Sequence, residues 1–161
     1  GRLWQLVRDE HRAWHAGRGA WGSVTDVNSH SVGIELANTG RHPFPDPQMA
    51  VLERLLSDLL ARWSIPPQRV IGHQDMAPDR KQDPGPRFDW RRLALQNLSV
   101  WPDGAASGDF TENARRFGYP EADPAPLLVA VRARFRPWAT GPLEDADRQV
   151  VAALAAQYPM S

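Results

Sequence analysis

The chain has 161 residues, of which 42% are hydrophobic, and its 19 basic and 19 acidic side chains leave a formal net charge of zero with an isoelectric point near 7.2. That is enough apolar content for a buried core, and too little charge imbalance for a field that would draw in nucleic acid. No stretch is long and apolar enough to read as a membrane span, and without cysteine the chain has no disulfide, thiolate ligand or thiol nucleophile.

Taken in order, Leu3, Gln5 and Val7 alternate with Trp4 and Leu6, which predicts a largely buried strand entered midway through a hairpin; Gly1 is therefore not expected to be the natural start. Residues 13–18 are small-residue loop material. In residues 31–37, Val32, Ile34 and Leu36 alternate with Gly33, Glu35 and Ala37, the period of a strand. Glu35 then points away from the apolar face, a costly place for a carboxylate unless Arg18 or Arg41 pairs with it or it takes part in chemistry. Residues 47–63 carry an apolar stripe (Met49, Leu52, Leu55, Leu56, Leu59, Leu60, Trp63) at helical spacing, with Asp46 as expected N-cap and Pro47 opening the helix. A strand over 69–72 completes a strand–helix–strand crossover, which favours parallel neighbours in an α/β sheet. A second helix is expected over 88–98. After Trp101 the composition shifts to Gly, Ser and Ala, which reads as a linker. Three short helical patterns follow, over 111–117, 126–135 and 143–158. The seven tryptophans are spread widely and are expected to be mostly buried, with one or two open to carbohydrate stacking.

The most informative stretch runs from His73 to Trp90. It sets an imidazole (His73), an ammonium (Lys81) and a carboxylate (Asp83) within eleven residues, in a segment whose prolines 78, 84 and 86 stiffen the loop. A histidine leaving the strand at 69–72 and an aspartate on the following loop can supply two ligands to one divalent metal. Read separately, each is an ordinary feature: a packed histidine and a solvated turn. With Glu35 they form a more specific set. Zinc with an open position activates water and polarises a carbonyl, a carboxylate carries the proton to a leaving amine, and a lysine stabilises an oxyanion. Those are the parts of a metal-dependent amide hydrolase.

The motifs Ala13, Trp14, His15, Ala16, Gly17; Asn28, Ser31, Val32, Gly33, Ile34, Glu35, Asn38; Gly72, His73; and Lys81, Asp83, Pro84, Gly85, Pro86, Phe88, Asp89, Trp90 resemble, in this order, the zinc-dependent N-acetylmuramoyl-L-alanine amidases of the AmpD/AmiD type. That family shares its fold with peptidoglycan recognition proteins. The resemblance covers residues 1 to about 102. It implies an α/β fold with a mixed central sheet flanked by helices, followed by a small three-helix domain over 103–161. It implies Zn2+ held by His73 and Asp83, with Glu35 as general base and Lys81 stabilising the transition state. Trp14, His15 and Asn28 are implied at the substrate cleft, and peptidoglycan or a muropeptide is the implied partner. The first zinc ligand, a histidine, together with an N-terminal strand and helix, is expected upstream of Gly1. Phe117, Gly118 and Tyr119, residues 129–137, and Gly141, Leu143, Glu144 and Asp145 are similar to the AmiD branch, with a peptidoglycan-binding module. Arg132, Arg134 and Arg136 of that module are candidates to meet wall carboxylates. A wall-binding module favours the periplasm or cell envelope, with lipid anchoring through an upstream segment as one route and the cytoplasm as the alternative.

Two other functions compete. A non-catalytic muropeptide binder would have no reason to keep Glu35, His73, Lys81 and Asp83 together. A metallophosphoesterase built on His73, Asp75 and Asp79 would need further His/Asp clusters for two metals, which the sequence lacks.

Overall fold

A computed structural model describes residues 2–104 and 106–160. Its long helices fall where the apolar periodicity places them. Helix α1 (Asp46–Trp63) buries Met49, Leu52, Leu56 and Leu59. Its N-cap is Pro45, one residue before the expected Asp46, which lies inside the first turn with Pro47. The helix ends where Ser64 turns left-handed at φ 53°, before Pro66 and Pro67. Short helices α2 (His73–Met76) and α3 (Trp90–Ala94) follow. The tail carries α4 (Phe110–Phe117), α5 (Pro124–Phe135) and α6 (Asp145–Gln157).

The expected sheet is not formed among the described residues. Two isolated bridges, Gly19 with Asp26 and Trp21 with Val24, are the β-pairing present there. Residues 31–37 keep the alternation of a strand, since Ile34 and Leu36 pack on the core while Glu35 is exposed. They make no backbone-to-backbone hydrogen bond among the described residues, and a strand is defined by its ladder as well as by its extension. Residues 3–7 depart further: Leu3, Trp4, Leu6 and Val7 are all exposed rather than buried. Residues 67–69 form a 3-10 turn, so His73 opens a helix rather than leaving a strand. The tryptophans also divide differently from expectation. Trp21 and Trp90 are fully buried and Trp101 half-buried, while Trp4, Trp14, Trp63 and Trp138 are exposed.

Two packed clusters hold the chain. One gathers α1, Phe88, Trp90, Leu93 and Leu98. The other gathers Phe110, Phe117, Leu127, Val131, Phe135, Val151 and Leu154 of the tail with Trp21 and Val100, so the tail helices share a core with the N-terminal half. Trp21 stands edge-on to Phe117 at 5.3 Å and to Tyr119 at 5.2 Å. Gly118 makes this approach possible: it lies at φ 136°, and a Cβ there would sit 2.7 Å from the Trp21 ring.

The clusters meet at a buried ion pair. Arg134 of α5 and Asp75 of α2 are both fully buried and lie 2.7 Å apart. The other guanidinium nitrogen donates to the Val70 carbonyl at 3.0 Å and to Ser99 Oγ at 3.2 Å. Asp75 accepts from the Tyr119 hydroxyl at 2.9 Å and from the Gly72 backbone N–H at 2.8 Å, capping the first turn of α2. The guanidinium also lies over the Trp90 ring at 4.2 Å. Burial, followed by the Asp75 charge, pushes the Tyr119 phenol well above its ordinary pKa, so it remains a donor.

A parallel arrangement closes the tail. Arg132 reaches Asp147 at 2.6 Å and the carbonyls of Gly141 and Pro142 at 2.7 Å each, while Arg136 pairs with Asp147 at 2.6 Å and Glu144 at 2.9 Å. The expectation that Arg132, Arg134 and Arg136 meet wall carboxylates is therefore overturned. Their charges are already committed to carboxylates of this chain.

Replacing Arg134 by Met leaves Asp75 buried without its counter-charge, and is expected to cost about 3–5 kcal/mol in chemical denaturation. Burial raises the Asp147 carboxyl, but hydrogen bonds from Arg132, the Glu144 backbone and Arg136 outweigh it and hold the pKa at about 2. A carboxyl depressed in the folded state stabilises above its unfolded pKa and loses that contribution as pH falls through the folded one. Stability on the order of 2 kcal/mol should therefore disappear between about pH 4 and pH 2. Thermal melts across that range should show a flatter pH dependence for Asp147→Asn.

Candidate active site

The loop after α2 is pinned close to the backbone that precedes it. A Cβ on Gly72 would meet Pro84 at 2.7 Å and the Trp90 ring at 3.2 Å, so glycine lets the loop fold back. The Gln74 N–H donates to the Asp83 carbonyl at 2.9 Å. Gly85, at φ 81°, supplies the left-handed turn between Pro84 and Pro86. The result brings the first residue of α2 against the tenth residue beyond it: His73 Nδ1 lies 3.1 Å from Asp83 Oδ2.

The other imidazole nitrogen fixes the chemistry of that contact. His73 Nε2 is 2.7 Å from the Ala16 carbonyl oxygen, which can only accept, so Nε2 carries the proton. In a neutral ring Nδ1 then presents a lone pair toward the Asp83 carboxylate. Two lone-pair atoms 3.1 Å apart need a proton or a cation between them. Two ligands each about 2 Å from one zinc, at tetrahedral angles, lie about as far apart. The donor set, one imidazole and one carboxylate, suits zinc, and the Ala16 carbonyl is the outer partner that a zinc-bound histidine ordinarily has.

The Ala16 carbonyl is held in turn. Asn28, buried, accepts from the backbone N–H groups of His15 at 3.0 Å and Ala16 at 2.9 Å. Arg80 donates to Ala16 O at 3.0 Å and also to Arg18 O. Asn28, expected at the substrate cleft, thus braces the loop beneath it. The sequence signal was its place in the motif; the brace itself needs the fold.

A cavity of about 1030 Å³ opens beside this pair, lined by His15, Glu35, His73 and Asp83 and by apolar side chains of α1. His15 lies close over residue 33, where a Cβ would sit 2.5 Å from the ring, so Gly33 is required there. Its Nε2 is 3.4 Å from Ser31 Oγ. Glu35 is exposed and makes no ion pair among the described residues, so neither Arg18, which contacts Asp79, nor Arg41 satisfies it. Trp14 is exposed under the Arg12 guanidinium, at 4.1 Å, and is not part of the cavity wall. Lys81 is not part of that wall either; it lines a second cavity, with Gln82 forming part of both. Among the described residues no third His, Cys, Asp or Glu joins His73 and Asp83.

The chain is similar to amidases over nearly its whole length. The family description "N-acetylmuramoyl-L-alanine amidase" matches residues 1–86. The N-acetylmuramoyl-L-alanine amidase AmiD of Escherichia coli K12 is 37% identical over a match spanning 98% of this chain and 68% of that protein. The chain belongs to the N-acetylmuramoyl-L-alanine amidase family, in its AmpD/AmiD branch. The amidase chain also matches 1,6-anhydro-N-acetylmuramyl-L-alanine amidase AmpD of Enterobacter cloacae, at 40% identity over 58% of its own length, and spans half of that relative. Among solved structures, a complex of E. coli AmiD with anhydro-N-acetylmuramic acid-L-Ala-D-gamma-Glu-L-Lys superposes with a TM-score of 0.89 at 34% identity, covering 99% of this chain and 74% of that one. AmpDh3 of Pseudomonas aeruginosa superposes at 0.86 and 30% identity, covering 98% and 74%. Both neighbours have the amidase fold, and both extend over the tail helices as well as the first half.

Replacing Asn28 by Ala removes the acceptor that holds the 15–16 loop, and with it the support of His73 Nε2. Zinc affinity, measured by competition with a chromophoric chelator, is expected to fall roughly 10- to 100-fold, with the fold retained.

Proposed function

We propose that this amidase hydrolyses the amide between the lactyl group of N-acetylmuramic acid and L-alanine, in peptidoglycan or muropeptides, with His73 and Asp83 as two protein ligands of a catalytic zinc. The observation that carries the metal assignment is the 3.1 Å approach of His73 Nδ1 to Asp83 Oδ2 while Nε2 is committed to Ala16. Zinc, when bound, lowers the pKa of its water to about 7 and polarises the scissile carbonyl. Glu35, on the cavity wall and without an ion-pair partner among the described residues, would take a proton from the attacking water and pass it to the departing amine. His15, seated beside Gly33, borders the same space and orients the substrate. The oxyanion role for Lys81 requires its four-carbon stem to reach past Gln82 from the second cavity. The apolar wall from α1 limits water around the reacting bond.

The tail helices are proposed to contribute peptidoglycan binding, through a surface other than the buried arginines. No helix among the described residues is long and apolar enough to cross a membrane. The envelope is the proposed location, because a wall-binding module is useful where polymeric wall is met.

Glu35→Gln in the zinc-loaded protein is expected to lower kcat on a muropeptide by about 10²- to 10⁴-fold with zinc affinity unchanged. Asp83→Ala is expected to lose both zinc and turnover. Release of L-alanine-terminated peptide, followed by chromatography, measures both; near-normal turnover by the Glu35 variant would remove it from the mechanism.

A further inference from the structure

The loop that supplies the Ala16 carbonyl is held at two different points. Asn28 fixes the backbone N–H groups of His15 and Ala16. The Ala16 carbonyl belongs to the next peptide plane, shared with the Gly17 N–H, which neither of those bonds restrains. Arg80 restrains it: the guanidinium donates to Ala16 O at 3.0 Å and to Arg18 O, the carbonyls on either side of Gly17. Gly17, at φ 66°, bends the chain so that both oxygens converge on one guanidinium, and a Cβ there would lie 3.3 Å from both of its terminal nitrogens. An ion pair between Arg18 and Asp79 at 3.5 Å ties the same two segments together from outside. The Gly17 N–H has no backbone acceptor among the described residues, so the plane is held by what reaches its oxygen.

That plane is the one the chain can most easily turn over. Rotating it changes ψ of Ala16 and φ of Gly17 in opposite senses, and glycine accepts φ of either sign. Turned over, it would present the Gly17 N–H to His73 Nε2 in place of the Ala16 oxygen. The ring would then keep its lone pair on Nε2 and carry its proton on Nδ1, which would donate to Asp83. Without metal, that arrangement satisfies both ring nitrogens, whereas the observed one sets two lone-pair atoms 3.1 Å apart. The Ala16 oxygen has two lone pairs, one for His73 Nε2 at 2.7 Å and one for the charged donor of Arg80. We propose that Arg80 is a positioning residue: by locking the 16–17 peptide plane it keeps His73 in the Nε2-protonated tautomer and holds Nδ1 open for the metal, so that the metal-free site does not close on itself. The lock itself needs no metal; its consequence for zinc rests on the assignment of His73 as a ligand.

Two measurements on Arg80→Met test it. At about pH 8.5, above the ordinary imidazole pKa of about 6.5, the nitrogen NMR shifts of the His73 ring in the metal-free protein report its tautomer. Wild type is expected in the Nε2-protonated form, and Arg80→Met is expected to move most of the population to the Nδ1-protonated form. Only the first can bind zinc through Nδ1, so zinc affinity, measured by competition with a chromophoric chelator, scales with its fraction: a fall to about one tenth weakens zinc about tenfold. The two readouts should agree, in a variant whose metal-free denaturation midpoint matches wild type. Arg80→Lys, which keeps a charged donor, should recover part of both. An unchanged tautomer in Arg80→Met overturns the lock, whatever the zinc affinity. A shifted tautomer with unchanged zinc affinity leaves the lock standing and refutes His73 Nδ1 as a ligand. A lowered denaturation midpoint in both variants overturns the positioning role, because Arg80 would then be holding the loop as a whole.

Discussion

The structure depends on the contact between Arg134 and Asp75. Asp75 caps the turn that begins at His73, so the carboxylate that receives the tail's guanidinium also sets the direction in which the histidine leaves the backbone. The charges are fully buried, a position that is tolerable only because nearly every donor and acceptor is matched: Tyr119, Gly72, Val70 and Ser99 supply the remaining partners. The pair contributes orientation more than net stability, since two buried charges of this kind roughly balance desolvation against attraction. Its position makes the tail helices part of the scaffold of the site.

From that anchor the site is built by short-range constraints. Gly72 admits Pro84, Gly85 turns the loop, and the Gln74 N–H ties back to Asp83, which together bring the carboxylate to the imidazole. A separate loop approaches from the other side, where Asn28 shapes residues 15 and 16 so that one carbonyl meets Nε2. The chemistry lies in the difference between the two ring nitrogens. One is fixed as a donor by a peptide carbonyl, and the other is therefore available for a cation. Glu35 is placed by a different rule: the alternation of residues 31–37 presents it outward while Ile34 and Leu36 pack inward.

The helices were legible because burial imposes a period on them. The stripe of α1 and the three tail patterns agree with the structure to within a few residues. The pairing of His73 with Asp83 was legible because the proline-rich loop between them is short and stiff. The sheet was not, because alternation reports which face of a segment is apolar and carries no information about its neighbour. The arginines of α5 were misread for a related reason. At residues 132, 134 and 136 they look like a solvated face, and only the positions of Asp75 and Asp147, distant or later in sequence, show that Arg132 and Arg134 are internal and that Arg136, just past the end of α5, is paired. The brace made by Asn28 and the displacement of Lys81 into the second cavity belong to the same class, since both depend on contacts between remote segments.

The packing of Trp21 against Gly118 has a consequence for the order in which the molecule is made. The indole comes from the first loop, and its platform, Phe117 and Tyr119, comes from nearly a hundred residues later. The loop that carries Ala16 therefore lacks its final support while a nascent chain is still emerging, and Asp75 lacks Arg134 for longer still. Domains settle as their long-range contacts become available during synthesis. In this chain the half that carries His73 and Asp83 is translated before α5 and cannot settle until that helix arrives, so a ribosome halted before α5 would carry the site's residues without the site.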